Sequence, residues 1–233
     1  MNGSKSSGLC FLGQTSTVIS VSRWMKPLQR REIDLLARRK MKLFVFRGLR
    51  KESSTTHIKN TGCCQHLSNN VVSKAIVLRE EQETEKLASI VADNVTYGDV
   101  ILLYGDFGTG KTTFARAFIR KILCDPLLSV PSPSYLLMNE YETTREIQGQ
   151  VKKFFIYHLD LWRIESCESL PFLDLQGILQ RGVCLIEWPA AIENSLPYNK
   201  LVLRFSFLDE GRKVELSMFG PNWHELQECI SRF

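Results

Sequence analysis

Nine consecutive residues concentrate the side chains suited to binding phosphate, in the order Gly105-Asp-Phe-Gly-Thr-Gly-Lys-Thr-Thr113. Glycines let backbone N–H groups turn inward around phosphates, a lysine neutralises the β and γ phosphates, and a hydroxyl can ligate Mg²⁺. The spacing of the last glycine, lysine and threonine after the first glycine is that of a P-loop. The sequence therefore predicts a nucleotide site formed by Gly105, Gly108, Thr109, Gly110, Lys111, Thr112 and Thr113.

A P-loop works only between a buried strand and a helix, and the flanking sequence supplies both. Asp99–Tyr104 is a short apolar run typical of a buried strand. Residues 111–123 place Phe114, Phe118 and Ile122 on one side of a helix that begins directly after the glycines. The motif thus has the context that phosphate binding needs.

Helix and strand patterns alternate from about Val71 onward, with short connections between them. This order is typical of a sheet covered by helices on both faces, and predicts an α/β fold, a P-loop NTPase-like three-layer sandwich with a mainly parallel central sheet. The further predicted elements are helices over 80–95 and from Trp223, and strands over 154–159, 183–186, 201–207 and 213–217.

Two acidic residues are candidates for holding the Mg²⁺ and its water at the predicted P-loop site. Asp160 follows the predicted strand 154–159, and Glu187 follows the predicted strand 183–186. P-loop enzymes place an acid at a strand end for this purpose, and pattern alone does not choose between them. Either could instead cap a turn. Ser132–Tyr135 follows Pro131 and forms a stiff loop with two hydroxyls, suited to sensing a γ-phosphate or to a plain turn.

Three ring side chains lie close to these acids in the sequence. His158 precedes Asp160 by two residues within a strand pattern, which favours a packed histidine. Trp162 and Trp188 each follow an acid closely, and burial in the core and stacking on a base are both open to them.

Charge divides the chain at about residue 70. The chain has 30 basic and 25 acidic residues. Residues 1–70 hold 13 of the basic and three of the acidic ones, which leaves 17 basic and 22 acidic residues in 71–233. A leader rich in Arg, Lys, Ser and Thr but poor in acids is typical of an organelle transit peptide, with a disordered basic tail as the alternative. We therefore expect a leader over 1–70 and a folded domain over 71–233.

The segment 41–51 has apolar residues among lysines and arginines, like an amphipathic presequence. It favours a mitochondrion over a plastid, and Met41 is a candidate alternative start. A composition of 44% hydrophobic and 24% charged residues excludes disorder throughout. The apolar runs are strand-sized, which predicts no membrane span. Cys63, Cys64 and His66 lack the second ligand pair of a zinc site.

Four motifs in order resemble the TsaE family, the small ATPases of tRNA threonylcarbamoyladenosine synthesis. The P-loop is followed by Ser132-Pro-Ser-Tyr135 with Asn139-Glu-Tyr141, then by His158-Leu-Asp-Leu-Trp-Arg163, then by Leu185-Ile-Glu-Trp-Pro189. The resemblance covers residues 75–233 and leaves the leader out. It implies a compact ATPase that uses ATP and Mg²⁺ and resets the partner enzyme that performs the tRNA chemistry.

The resemblance also implies roles for single residues. Glu187 would ligate Mg²⁺ together with Thr112, and Asp160 would lie near the γ-phosphate and take part in hydrolysis. Lys111 and Trp188 would contact the nucleotide. Ser134 stands where the family has threonine in its switch loop, which keeps the hydroxyl. Weaker matches to the family are Glu81 and Thr84, which would approach the nucleotide, and a late Gly211-Arg212 pair.

The implied partners are proteins: a TsaD-like threonylcarbamoyl transferase and a TsaB-like subunit, contacting the face around the switch loop. Nucleic-acid binding depends on basic side chains, and the domain 71–233 is net negative, so contact with tRNA is expected to be only indirect. A small-molecule P-loop kinase and a nucleotide-gated binding module without turnover remain as alternatives.

Overall fold

The computed structural model describes residues 18–20, 71–147, 149–165 and 174–233. The strands are β1 Val18–Ser20, β2 Val72–Leu78, β3 Val100–Tyr104, β4 Met138–Ile147, β5 Gln150–Asp160, β6 Gly182–Glu187, β7 Lys200–Leu208 and β8 Gly211–Phe219. The helices are α1 Glu81–Asp93, α2 Lys111–Leu123, α3 Leu175–Arg181 and α4 His224–Ser231. Short 3-10 turns span Pro189–Ala191, Glu193–Ser195 and Pro221–Trp223.

The predicted leader lies largely outside the described residues, and so do the 41–51 segment, Met41 and the Cys63–His66 cluster. The exception is β1, whose backbone pairs antiparallel with β4. The leader's composition did not predict this strand. No helix among the described residues is long and apolar enough to cross a membrane.

The eight strands of the described residues form one sheet in the order β1-β4-β5-β6-β3-β7-β8-β2. The four central strands, β5, β6, β3 and β7, run parallel, as predicted. Two antiparallel strands extend each edge, so the whole sheet is mixed. The edges are antiparallel because β4–β5 and β7–β8 are joined by tight turns, whereas a parallel pair requires a long crossover. The P-loop-type α/β fold is confirmed.

The core lies on both faces of the sheet. Ile101 and Leu103 of β3 pack on the face covered by α1, α2 and α4, while Val100 and Leu102 pack on the face covered by α3. Successive strand residues point to opposite faces, so a strand with every residue buried requires cover on both sides. This confirms the three layers.

The helix that follows the P-loop, α2, is flanked at both ends by a residue in the left-handed backbone region. Gly110 precedes α2 with φ +104, and Cys124 follows it with φ +52, where its N–H bonds to the carbonyls of Arg120 and Lys121. The sequence pattern predicted these bounds correctly. Phe114 and Phe118 of α2 are fully buried, so the amphipathic face fixes the helix against the sheet and with it the direction of its N-terminus.

Two long strands, β2 and β4, were not predicted from the sequence. Among the described residues, β4 carries mostly polar side chains and is held by its hairpin with β5. Within the described residues, β2 pairs with β8 at the sheet edge; its Ile76 and Leu78 are buried in the core, while Val77 between them is exposed. Strand pairing places β4, whereas pairing and core burial together place β2.

Candidate functional site

The chemistry-bearing motifs meet at the carboxyl ends of three adjacent parallel strands. The P-loop follows β3, Glu187 ends β6 and Asp160 ends β5. Glu187 pairs with Leu103 on one side and with Asp160 on the other. Ligands of open parallel sheets bind at this edge, so topology alone brings together the residues that the sequence motifs singled out.

The P-loop closes tightly at its first glycine. Gly105 has φ +137, and a Cβ there would lie 2.4 Å from the Phe205 carbonyl oxygen and 2.8 Å from Oγ1 of Thr109. Only glycine fits this backbone and this space. Thr109 is buried, and its hydroxyl donates to the Asp106 carbonyl at 2.8 Å. The loop is therefore braced from beneath by β7 and from within by its own threonine.

Lys111 is held beneath the loop. Its Nζ donates to the carbonyls of Gly105 at 2.7 Å and Asp106 at 2.8 Å. Burial lowers the pKa of Lys111, while the nearby carboxylates of Glu187, Asp160 and Asp106 act to raise it. The ammonium is thus fixed beside the glycines, where a phosphate would meet it.

A chain of hydrogen bonds runs from the P-loop helix into the sheet. The Thr112 hydroxyl donates to Oε2 of Glu187 at 2.8 Å, and Nε2 of His158 lies 2.9 Å from Oε1 of the same carboxylate. Glu187 and His158 are both buried. Two oxygen donors, a hydroxyl and a carboxylate, therefore lie side by side next to the P-loop, which is the ligand type that Mg²⁺ prefers.

Asp160 is bound by the loop that precedes β4. The Ser134 hydroxyl donates to Oδ2 of Asp160 at 2.5 Å, and the Trp162 backbone N–H donates to Oδ1 at 3.0 Å. The hydroxyls of Ser132 and Ser134 are 2.7 Å apart. The side chain of Asn139 donates to the Pro131 carbonyl. The two-hydroxyl loop is thus tied directly to the acid at the end of β5.

A cavity of about 290 Å³ opens at this edge of the sheet. Its lining includes eleven residues that the sequence analysis proposed: Glu81, Thr84, Gly108, Gly110, Lys111, Thr112, Thr113, Ser134, Asp160, Glu187 and Trp188. Gly105 and Thr109 are absent from the lining because they brace the loop from behind. The motifs and the weaker matches from the first helix therefore face one space.

Five further lining residues were missed or left without a role: Leu78, Arg79, Glu80, Phe107 and Arg212. Leu78 is the last residue of β2, which was not predicted, and Arg79 and Glu80 connect β2 to α1. Arg212 on β8 donates to the Gly108 carbonyl at 3.2 Å. The family resemblance includes the Gly211-Arg212 pair without a role. Arg212 reaches the P-loop because β8 pairs with β7 and β7 pairs with β3, the strand that the P-loop follows.

Three aromatic rings form a cluster at the rim of the cavity. The centroids of Phe107, Trp162 and Trp188 lie 4.4–4.9 Å apart. The Trp188 ring also lies 4.1 Å from Nζ of Lys111, within cation–π range. Phe107 is 59% exposed and Trp162 49%. Trp188 therefore packs on the lysine, while the other two rings face solvent.

Comparison with known proteins agrees with this geometry. A family model, "Threonylcarbamoyl adenosine biosynthesis protein TsaE", matches residues 78–214. The chain belongs to the TsaE family. The TsaE match begins at the last residue of β2 and ends within β8, so it contains the P-loop, the loop 132–135 and both strand-end acids.

Individual TsaE proteins are similar over most of their length. The tRNA threonylcarbamoyladenosine biosynthesis protein TsaE of Rickettsia felis is 34% identical over 139 residues, which cover 60% of this chain and 76% of the relative. The protein of the same name from Bacillus subtilis is 31% identical over 152 residues, covering 65% and 89%. The crystal structure of Bacillus subtilis YdiB superposes with a TM-score of 0.52 at 27% identity, covering 71% of this chain and 98% of that one.

Proposed function

We propose that this TsaE protein binds ATP with Mg²⁺, hydrolyses it, and thereby resets a TsaD-like transferase complex that makes N6-threonylcarbamoyladenosine in tRNA. The observation that carries the proposal is the Thr112–Glu187 hydrogen bond of 2.8 Å, formed beside Lys111 at the floor of the cavity. A hydroxyl and a carboxylate paired next to a P-loop lysine are the parts with which P-loop enzymes hold a magnesium nucleotide.

The residues present fit that ligand. The backbone N–H groups of the P-loop suit phosphate oxygens, and the tight turn at Gly105 that shapes the loop leaves no space for a Cβ. The oxygens of Thr112 and Glu187 would hold the cation. When bound, Mg²⁺ supplies positive charge against the phosphate oxygens. Lys111 contributes a second positive charge, already fixed by two carbonyls.

Asp160 is proposed to orient the attacking water. Its carboxylate lies one strand away from Glu187 in direct register, so two acids with different partners share the sheet edge. Ser134 binds Oδ2 of Asp160, which makes the loop 132–135 a sensor of whatever occupies the cavity. Movement of this loop would free the oxygen for water, as in other nucleotide-dependent switches.

The second candidate is a nucleotide-gated module that binds ATP without turning it over. It is favoured by one observation: both carboxylate oxygens of Asp160 already accept hydrogen bonds, from Ser134 and from the Trp162 backbone. In that case the loop would report on bound nucleotide, and no water would be activated.

Protein rather than tRNA is the proposed direct partner. The side chains around the switch loop include the exposed Tyr135 and Leu136, and the rim adds Phe107 and Trp162. Exposed apolar side chains grouped beside a site are typical of protein contacts. The net negative charge of 71–233 opposes direct binding to tRNA phosphates. A TsaD-like subunit, with a TsaB-like subunit beside it, would dock here.

The test measures phosphate release from Mg²⁺-ATP by the full chain, alone and with the TsaD-like protein, and follows tRNA threonylcarbamoylation in the same reactions. Turnover that the partner stimulates, and that Lys111→Ala abolishes, supports the proposal. Nucleotide binding without turnover supports the gated module. Transfer of phosphate to a small acceptor without any effect on tRNA would mean a kinase.

Separate variants of the two acids test their roles. Glu187→Ala should lose Mg²⁺-dependent activity with the fold retained, because it removes a proposed metal ligand. Asp160→Ala should lose turnover while Mg²⁺-dependent ATP binding remains. If Glu187→Ala keeps normal Mg²⁺ dependence and Asp160→Ala abolishes it, the two assignments are exchanged.

The proposed location is the mitochondrion, on the basis of the basic leader and the amphipathic segment 41–51. Residues 1–70 fused to a fluorescent protein should direct it to mitochondria. The same fusion with the lysines and arginines of 41–51 changed to glutamine should not. Import into plastids instead would contradict the assignment.

A further inference from the structure

A buried histidine stands directly behind the carboxylate of Glu187. Nε2 of His158 lies 2.9 Å from Oε1, and the two side chains are 0% and 2% exposed. The other oxygen, Oε2, accepts from Thr112 at 2.8 Å. The two oxygens of the Glu187 carboxylate therefore have different partners: Oε1 contacts the buried His158, and Oε2 contacts Thr112 of the P-loop helix.

We propose that His158 is a positioning residue, whose Nε2–H holds Oε1 of Glu187 so that Oε2 is presented beside Thr112 for a divalent cation. This inference rests on the proposed function, in which Glu187 and Thr112 hold Mg²⁺. In this arrangement His158 contacts neither the nucleotide nor the cation. The residue acts only through the orientation that it imposes on Glu187.

Packing alone does not account for an imidazole at this place. Ile156 lies two residues earlier on the same face of β5 and fills the core with carbon alone. A buried polar ring costs free energy unless it is hydrogen-bonded. Among the described residues, Nδ1 of His158 has no hydrogen-bond partner, so the hydrogen bond of Nε2 to Glu187 is the one that offsets the cost of burying the ring.

The carboxylate in turn needs this donor. Without it Oε1 would be buried and unpaired, and rotation of the carboxylate would turn Oε2 away from Thr112. Groups that hold a metal ligand through its second atom fix its orientation, and removing them typically lowers metal affinity about 10- to 100-fold. The expected defect is therefore in Mg²⁺ dependence, while nucleotide binding without Mg²⁺ is retained.

The test compares two amides at one position in the full chain. His158→Gln places an amide nitrogen at about the level of Nε2, whereas the shorter His158→Asn reaches only the level of Nδ1. Both are polar and buried, so they share any cost to stability. Ile156→Val is the control for mild loss of packing on the same strand face.

The readout is calorimetric ATP binding, measured in EDTA and across a Mg²⁺ titration, with thermal unfolding recorded for each variant. His158→Asn should raise the half-saturating Mg²⁺ concentration about 10- to 100-fold. His158→Gln should restore most of that loss. All variants should keep the wild-type affinity in EDTA, and Ile156→Val should keep the wild-type Mg²⁺ midpoint.

Several outcomes would overturn the inference. Equal Mg²⁺ midpoints for His158→Gln and His158→Asn would mean that the donor position is irrelevant. A shift in Ile156→Val, or lost affinity in EDTA, would mean that the effect reports general damage. If the wild type itself binds ATP without any response to Mg²⁺, the proposed metal site fails and the inference fails with it.

Discussion

Gly105 is the position in the P-loop where one added methyl group should cost most. Its φ of +137 lies in a region that side-chain-bearing residues rarely adopt, and the new Cβ would lie 2.4 Å from the Phe205 carbonyl oxygen. Phe205 belongs to β7, which is paired on both sides, so its carbonyl has little freedom to move. Gly105→Ala should therefore strain both the loop and the sheet.

The size of the effect follows from two contributions. An unfavourable backbone conformation costs of order 1–3 kcal/mol, and forcing an extra methyl group into a packed site costs about 1–3 kcal/mol. Gly105→Ala should thus lose roughly 2–6 kcal/mol of unfolding free energy. Gly149 is the matched control, since its φ is +73 and, its chain neighbours aside, no described residue has an atom within 4 Å of its Cβ position. Gly149→Ala should lose only the backbone contribution, about 1–2 kcal/mol.

Urea unfolding followed by circular dichroism measures both losses, and calorimetry measures ATP binding by the folded variants. Gly105→Ala should also bind ATP poorly, because the loop must open to admit the methyl group, while Gly149→Ala should bind normally. Equal unfolding free energies for the two variants would refute the steric argument. Normal ATP binding by Gly105→Ala would refute the inference that this turn shapes the cradle.

Three further changes test the site. Thr112→Ser should keep Mg²⁺-dependent ATP binding and Thr112→Val should lose it, since only the hydroxyl pairs with Glu187; equal titrations would contradict this. Ser134→Ala should lower the unfolding free energy by about 1–2 kcal/mol and alter hydrolysis, whereas Ser134→Thr should match wild type in both assays. Burial lowers the pKa of Lys111 in the free protein, and bound phosphate should raise it, so the complex holds more protons. ATP affinity should then fall as pH rises from the pKa of Lys111 in the free protein to its higher pKa in the complex, by at most about tenfold per pH unit. Calorimetry in different buffers should detect proton uptake on binding.

The sequence predicted one wall of the cavity, formed by the P-loop, Glu187 and Asp160, because local motifs encode these residues. The P-loop, Glu187 and Asp160 each follow an apolar strand, and parallel strands bring such ends together. The opposite wall depends on long-range pairing. Arg212 reaches the P-loop because β8 forms a hairpin with β7 and β7 lies beside β3, and no pattern near residue 212 shows that β7 neighbours β3.

His158 shows a different limit of sequence reasoning. Its strand position correctly indicated burial, and burial favoured a packing role. The contact to Glu187 depends on β5 and β6 being parallel neighbours, with His158 two residues before the Asp160–Glu187 pair. A pattern gives the face that a side chain occupies, but the partner across the sheet comes from the register.

In the proposed mechanism, the β4–β5 hairpin connects the nucleotide-sensing loop 132–135 directly to the acid proposed to act in hydrolysis. The switch loop leads into β4, and β4 pairs along its whole length with β5, which ends at Asp160. The Asp160 backbone N–H bonds to the Leu137 carbonyl, and its carboxylate bonds to Ser134. Tyr135 is 87% exposed and adjoins Ser134. A partner that displaced Tyr135 would therefore act one residue from the hydroxyl that holds the proposed water-orienting acid, and no long-range pathway through the sheet is required.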